Sequence, residues 1–192
     1  MASGTWSHDA HDRAGRFKAL ALPHLDNVYT LARYLLGSAA DADDAVQECY
    51  LRALQHFDTF RGPEIKPWLF AILRNACHTI RTRQKGSSPH AATALEDDAL
   101  ETAEPLWSDG QDTPEAQVLR RHDAETVRAM IAALPDAFRE VVVLREIEDL
   151  SYREIAEIVD APIGTVMSRL ARARSLLRAA WIAAAGEEEK AS

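Results

Sequence analysis

The sequence has only two cysteines among 192 residues, and neither stands at a spacing typical of a disulfide framework. Cys49 and Cys77 each fall inside a run with helical periodicity, so we expect two reduced thiols that act as small apolar side chains. No apolar run is long enough to cross a membrane, and "MASGTWSHDAHDRAGRFK" at the start lacks the apolar core of a secretion signal. We therefore expect a cytoplasmic protein without membrane insertion.

Motifs of catalysis and metal binding are also missing. There is no phosphate-binding glycine loop, no nucleophile elbow and no pair of His or Cys residues at firm zinc spacing on one helix. The seven histidines are scattered, and the pair His8 and His11 stands close to the start of the chain. We expect no enzyme, no catalytic residue, no metal site and no cofactor.

Positive charge is missing from one long stretch. Residues 86–119 hold eight acids and no Lys or Arg, so this stretch alone accounts for the net charge of −8. The remaining chain is neutral in sum, so the low isoelectric point does not exclude binding to nucleic acid. Residues 86–117, rich in Gly, Ser, Pro and acids, predict a linker of about thirty residues between two domains.

The two flanking regions read as helical domains. Apolar residues recur at helical spacing through both regions, and strand signals are absent. We predict an all-α fold of two small domains joined by the flexible acidic linker. The expected organisation is a disordered tail over 1–14, a first domain over 15–85, the linker over 86–117, a second domain over 118–183 and a disordered tail over 184–192.

Three helices are predicted in the first domain. The first ends at Gly37, and the third starts near Pro67 and turns from apolar to basic along its length. The second, "DADDAVQECYLRALQHF", has an apolar stripe predicted from Val46, Cys49, Tyr50, Ala53, Leu54 and Phe57. Its other faces carry Asp43, Asp44, Gln47, Glu48 and Arg52.

A helix-turn-helix is predicted in the second domain. Ser151 and Glu154 form an S-x-x-E capping box that starts a short helix reaching about Val159. The turn 160–162 follows, and a longer helix runs from near Ile163 and ends by Gly186. The residues expected to pack between the two helices are Ile155, Ala156, Val159, Val166 and Leu170.

The second helix of this motif contains four arginines and no acid over "PIGTVMSRLARARSLLRAAW". In a helix-turn-helix, the N-terminal half of the second helix meets base edges in the major groove. We expect this reading role for Thr165, Ser168, Arg169 and Arg172, and phosphate contacts for Arg174 and Arg178. A basic helix face is often only solvated, but the capping box, turn and periodicity together favour DNA binding.

Three segments resemble the extracytoplasmic-function (ECF, group IV) RNA polymerase sigma factors of the sigma-70 family. They are "DADDAVQECYLRAL", "FRGPEIKPWLFAILRN" and "SYREIAEIVDAPIGTVMSRLARARSLL". These segments resemble, in order, the family's polymerase-binding helix, its promoter-melting segment and its motif that reads the −35 element. The resemblance implies a sigma-2-like bundle followed by a sigma-4-like helix-turn-helix domain.

The resemblance also implies roles for individual residues. For capture of the melted −10 element it indicates Arg61, Trp68, Arg74, Asn75, Arg81 and Arg83. Trp68 stands in an apolar run, where a Trp is more often part of the core. For −35 reading it indicates Thr165, Ser168, Arg169, Arg172 and Arg174. For binding of core RNA polymerase it indicates Asp43, Asp44, Gln47, Glu48 and Arg52, for which a merely solvated face is the alternative.

The expected partners are core RNA polymerase, promoter DNA and an anti-sigma factor that holds the protein inactive. The linker acids have two interpretations, a soluble tether or a nucleic-acid mimic in the basic cleft of the polymerase. Two positions depart from relatives, because Asp160 occupies a turn position where many such motifs have glycine, and Met167 stands where several relatives carry arginine. The alternative function is a stand-alone helix-turn-helix regulator of transcription.

Overall fold

The computed structural model describes the backbone of residues 5–84 and 125–191 and the side chains of residues 13–84 and 125–184. Within these ranges every regular element is helical, which confirms the all-α prediction. The predicted linker, residues 86–117, lies outside the described residues. The helices are α1 (Thr5–Ala21), α2 (Leu25–Leu36), α3 (Ala39–His56), α4 (Ile65–Gln84), α5 (125–133), α6 (Asp136–Val142), α7 (Tyr152–Val159) and α8 (Ile163–Ala191).

Contacts between Cα atoms divide these helices into two compact units. The first contains α1–α4 together with residues Arg153–Asp160, and the second contains α5, α6, Tyr152 and α8. In the first unit α2, α3 and α4 pack against one another as a three-helix bundle. Gly37 ends α2 at φ 77°, as expected, and the Ser38 hydroxyl accepts a hydrogen bond from the Asp41 N–H (3.3 Å) at the start of α3.

The buried stripe of α3 differs from the predicted one. It consists of the small residues Ala42, Ala45, Cys49 and Ala53, all fully buried. Small side chains at helical spacing let α2 and α4 approach α3 closely, so the larger residues are turned away from the bundle centre. Leu54, predicted as core, is 37% exposed, and Val46 and Tyr50 are only half-buried.

An N-terminal helix, α1, replaces most of the tail predicted over 1–14. It packs against α4, and its Phe17 is buried with its ring edge-on to Phe57 at 5.4 Å between ring centroids. Arg13 donates hydrogen bonds to the carbonyl oxygens of Leu54 (2.7 Å) and Gln55 (2.9 Å). These carbonyls belong to the last turn of α3, where a cation suits the helix dipole, so α1 caps α3.

In the second unit, Arg139 joins α5 to α6. Its guanidinium donates to the carbonyl oxygens of Ile131 (3.3 Å), Ala132 (2.6 Å) and Leu134 (2.7 Å), which end α5. The Ile131 carbonyl oxygen also accepts from the Leu134 N–H (3.1 Å), so Arg139 adds to the bonding of the carbonyls at and just after the end of α5. α6 continues into a π-helical turn, Val143–Ile147, and packs against α8.

The inward stripe of α8 consists of Val166, Leu170 and Ala173, all buried. Its backbone stays helical beyond Gly186, where the sequence predicts its end, as far as Ala191. The run of Glu and Lys that follows Gly186 forms helices readily, and a lone glycine costs an otherwise favourable helix only about 1 kcal/mol.

We predict that alkaline pH destabilises the protein through Cys49. Burial, with Cys77 nearby, raises the pKa of the Cys49 thiol from 9.0 to about 12. The unfolded thiol ionises at its ordinary pKa while the folded thiol keeps its proton, so the stabilisation present below pH 9 is lost as pH rises toward 12. Thermal unfolding followed by circular dichroism should show a loss of about 2 kcal/mol between about pH 8 and about pH 10.5.

Cys49→Ala and Tyr50→Phe are the control variants. Burial also raises the pKa of Tyr50 to about 12, so part of the loss above pH 10 belongs to this residue. Cys49→Ala should be less stable at neutral pH because it leaves a small cavity, but its stability should fall less with pH. A decline equal to that of the unchanged protein would contradict the role of Cys49.

Candidate nucleic-acid interface

The turn between α7 and α8 has the geometry that a helix-turn-helix needs. α7 ends at Val159 and α8 begins at Ile163, as predicted, and Asp160 adopts φ 51° in the left-handed region. Aspartate tolerates this conformation better than most residues, so the absence of glycine here is accommodated. Four of the five residues expected to pack in the motif are buried, and the fifth, Ala156, is half-buried.

Three predicted DNA-reading residues lie along one flank of α8. Thr165, Arg169 and Arg172 each precede an inward residue by one position, so they share the flank that a rotation of about 100° per residue produces. Thr165 and Arg169 are half-buried and Arg172 is exposed. Neither guanidinium has an ion-pair partner among the residues that the structure describes. Both arginines are therefore available for an anionic ligand.

Ser168 lies on the outward side next to this flank. Its hydroxyl donates to the Thr165 carbonyl oxygen (3.1 Å), which leaves the lone pairs of the Ser168 oxygen as acceptors. The structure thus places four of the five predicted −35 residues on one broad, outward surface of α8, which we call the α8 reading face (Thr165, Ser168, Arg169 and Arg172).

The fifth residue, Arg174, is separated from this face. It follows the inward Ala173 by one position and therefore lies on the opposite flank of α8. Its guanidinium donates to Glu146 Oε1 from Nε (3.1 Å) and from Nη2 (2.6 Å), and its side chain is only 16% exposed. Burial by itself would lower the pKa of Arg174, but the hydrogen bond and charge of Glu146, with Tyr152, raise it. Arg174 is thus engaged within the protein.

The six residues indicated for −10 capture do not form one surface. Trp68 and Asn75 are seven residues apart on α4 and share one face, while Arg74 and Arg81, also seven apart, share another. Arg83 is exposed at the end of α4. Arg61 lies in the loop before α4 and donates to the carbonyl oxygens of Asp58 and Phe60.

Trp68 is partly in the core of the first unit and partly exposed. It is half-buried, and its ring lies at 5.4 Å and 45° from that of Phe60, which in turn stacks on Phe57 at 6.3 Å. The aromatic row that starts in the core at Phe17 thus reaches the surface at Trp68. One part of the indole is core, and the other remains accessible.

The predicted polymerase-binding residues lie on the outer side of α3. Asp43, Asp44 and Gln47 are exposed, and Glu48 is half-buried with its Oε1 accepting from Arg52 Nε at 2.5 Å. Leu51, not predicted from the sequence, continues this side one turn after Gln47 and Glu48 and is 50% exposed. We call this set, Asp43, Asp44, Gln47, Glu48 and Leu51, the α3 outer face.

Two residues of these surroundings, Glu146 and Leu51, were not predicted from the sequence. Glu146 meets its partner 28 residues away in the chain, so no local pattern reveals the pair. Leu51 is indistinguishable from a core leucine until the small-residue stripe of α3 is known. In the part of the chain that the structure describes, no His, Cys, Asp and Glu side chains gather as a metal site, and no helix is long and apolar enough to cross a membrane.

Comparison with known proteins finds two family regions in the chain. The model of sigma-70 region 2 matches residues 20–86, and the model of sigma-70 region 4 matches residues 124–177. These two regions define a sigma factor of the sigma-70 class, the subunit type that the helical bundle and the helix-turn-helix had indicated.

Individual relatives indicate which group of sigma-70 factors the chain resembles. The chain is 36% identical to the ECF RNA polymerase sigma-E factor of Haemophilus influenzae, with 77% of each chain covered. It is 32% identical to the ECF sigma factor SigW of Bacillus subtilis (80% of this chain and 82% of that one) and 35% identical to the sigma-E factor of Escherichia coli (84% of each). The chain belongs to the ECF RNA polymerase sigma factors.

A solved structure supports the same assignment. The sigma factor RpoE of Bartonella quintana, determined in complex with the anti-sigma factor NepR, superposes with a TM-score of 0.63 at 25% identity, covering 86% of this chain and 96% of that one. The structure of CnrH, determined in complex with the cytosolic domain of CnrY, has a TM-score of 0.61 at 23% identity, covers 91% of this chain and 95% of that one, and is similar in fold.

Proposed function

We propose that this chain is a promoter-specificity subunit that binds core RNA polymerase, reads the −35 element as duplex and captures the melted −10 element. The observation that carries the proposal is the α8 reading face. Two of its arginines, in the N-terminal half of the second helix of a helix-turn-helix, have no ion-pair partner among the described residues. Arginine at this place can bond guanine with two donors, which gives sequence discrimination in the major groove. The subunit itself needs no catalytic residue.

The first unit supplies surfaces for the other two activities. The accessible part of Trp68 suits stacking of an unpaired base, and Asn75 shares its face of α4. Arg83 is exposed at the end of the same helix. The α3 outer face combines acids with an exposed leucine, a composition that suits a protein partner with a basic and apolar surface. We assign this face to core polymerase.

The α3 outer face and the α8 reading face are also surfaces at which an anti-sigma factor could inhibit the protein. In the Bartonella quintana complex, the related sigma factor is bound by an anti-sigma factor. We extend this control to the present chain, because an inhibitor that covers either the α3 outer face or the α8 reading face would block initiation. The alternative, a stand-alone helix-turn-helix regulator, leaves the α3 outer face without a role.

We predict that Arg169→Ala and Arg172→Ala each reduce transcription that depends on the −35 element, because each removes a base-reading donor worth on the order of 1–3 kcal/mol. The measurement is in vitro transcription by the reconstituted holoenzyme from promoters found upstream of transcripts induced by overexpression, with the −35 element intact or replaced. Arg178→Ala, on the opposite flank of α8, is the matched control and should preserve the ratio between the two promoters. Normal ratios for both reading-face variants would exclude that face from −35 recognition.

We predict that Asp44→Lys combined with Gln47→Lys weakens association with core polymerase by about tenfold or more, because it reverses charge on the α3 outer face. Both side chains are exposed, so helical content should not change. Affinity is measured by titrating labelled protein with core enzyme. Glu64→Lys combined with Gln84→Lys makes the same charge change at exposed positions elsewhere in the first unit and should bind normally. Equal affinities for the two double variants would contradict the assignment.

The proposed function as a promoter-specificity subunit is tested by measuring whether the DNA strands open in the −10 region. The free protein should bind duplex promoter DNA weakly, because the linker of about thirty residues predicted from the sequence would leave the spacing of the two DNA-binding regions undefined and would repel DNA by its charge. Core polymerase would hold each region at its own element. We expect permanganate to modify unpaired thymines in the −10 region only when both components are present. Tight binding by the free protein without strand opening would instead identify a stand-alone regulator.

A further inference from the structure

The π-helical turn Val143–Ile147 lies between α6 and the segment that leads to α7. Its backbone is closed by a bond from the Glu148 N–H to the Val143 carbonyl oxygen (3.1 Å), a five-residue spacing instead of the usual four. Val143 and Leu144 are fully buried, whereas the next two residues, Arg145 and Glu146, are only half-buried. One side of the turn is therefore buried in the core, and its other side carries the opposite charges of Arg145 and Glu146.

The side chains of Arg145 and Glu146 contact different parts of the second unit. Arg145 donates to the Leu150 carbonyl oxygen (2.8 Å), approaches Asp149 (3.6 Å) and lies over the Tyr152 ring at 5.3 Å. Glu146 instead accepts two hydrogen bonds from Arg174 of α8, at 2.6 Å and 3.1 Å. One turn of the chain thus fixes both the loop before the helix-turn-helix and the second helix of that motif.

The pair between Glu146 and Arg174 is well shielded from water. The side chains are 21% and 16% exposed, and both nitrogens of the contact point to the same carboxylate oxygen. A charge-assisted contact with two donors has a fixed direction, whereas the aliphatic contacts of Val166, Leu170 and Ala173 are non-directional. The apolar stripe decides that α8 packs inward, and the ion pair restricts rotation and sliding of the helix on that stripe.

We propose that Glu146 is a positioning residue for promoter reading, acting through Arg174 to orient the α8 reading face. Arg174 stands only two residues after Arg172 and five after Arg169 on the same helix, so its anchorage determines where both arginines point. The proposal rests on the assignment of α8 to the −35 element. It also changes the role of Arg174 from a phosphate contact to an internal anchor.

The direction in which Glu146→Gln changes DNA binding distinguishes a phosphate-contacting Arg174 from an Arg174 that anchors α8. If Arg174 were a phosphate contact, Glu146→Gln would remove a competing negative charge and should strengthen DNA binding. If Glu146 positions α8, the same substitution removes the directional contact and weakens −35 reading, although it makes the protein less negative. Glutamine retains the size of glutamate, so the substitution leaves packing nearly unchanged.

The test uses holoenzyme reconstituted with Glu146→Gln, Arg174→Met or both. The readout is the ratio of transcripts from promoters with intact and replaced −35 elements. Each single variant should lower this ratio by about tenfold, the effect of losing one well-placed base contact, and the double variant should lose no more than the worse single variant. Glu157→Gln and Arg128→Met, exposed residues of α7 and α5, are matched controls that should keep the ratio. Binding to core enzyme, measured in parallel, should not change.

The outcomes distinguish this proposal from the function on which it rests. An unchanged or increased ratio for Glu146→Gln, or losses that multiply in the double variant, would overturn the positioning role. Arg169→Ala is run alongside: if it also keeps the ratio, α8 does not read the −35 element and both proposals fail. Should a single variant lose helical content, Glu146→Asp takes its place, because it keeps the charge but its shorter side chain cannot hold the 2.6 Å contact. A wild-type ratio for this variant would equally contradict the proposal.

Discussion

Narrow inward stripes of small or aliphatic side chains determine the orientation of the α3 outer face and of the α8 reading face. In α3 the stripe is Ala42, Ala45, Cys49 and Ala53, and in α8 it is Val166, Leu170 and Ala173. A helix that buries so narrow a stripe packs closely against its neighbours and leaves the rest of its circumference outside. The α3 outer face and the α8 reading face are the outward consequences of this packing.

The charges on the α3 outer face and on the α8 reading face suit different partners. The α3 outer face carries acids beside an exposed leucine, which suits a protein with complementary charge, whereas the α8 reading face carries arginines suited to DNA. A chain with net charge −8 can bind DNA because Coulomb interactions in salt water act over about 10 Å, and the excess of negative charge lies in one stretch of sequence. Local charge governs recognition in this protein more than net charge does.

Some arginines in the structure bond to groups inside the protein and others do not, and the sequence does not distinguish the two kinds. Arg13, Arg139 and Arg174 satisfy carbonyl or carboxylate oxygens inside the protein, while Arg169 and Arg172 have no ion-pair partner among the described residues. The difference depends on which flank of a helix each residue occupies relative to the inward stripe. A basic helix is therefore informative about nucleic-acid binding only after its internal partners have been identified.

The sequence by itself determined the helical class, the helix-turn-helix with its left-handed Asp160 and the family, because periodicity, capping residues and turn residues are local properties of the chain. It also placed Thr165, Ser168, Arg169 and Arg172 on one surface, since helix geometry follows from residue spacing. Only the tertiary structure decided that Leu54 is exposed, that α1 caps α3 and that Arg174 turns to Glu146. These outcomes depend on contacts between residues far apart in the chain, where neighbouring helices compete for the same faces, and such competition leaves no local pattern.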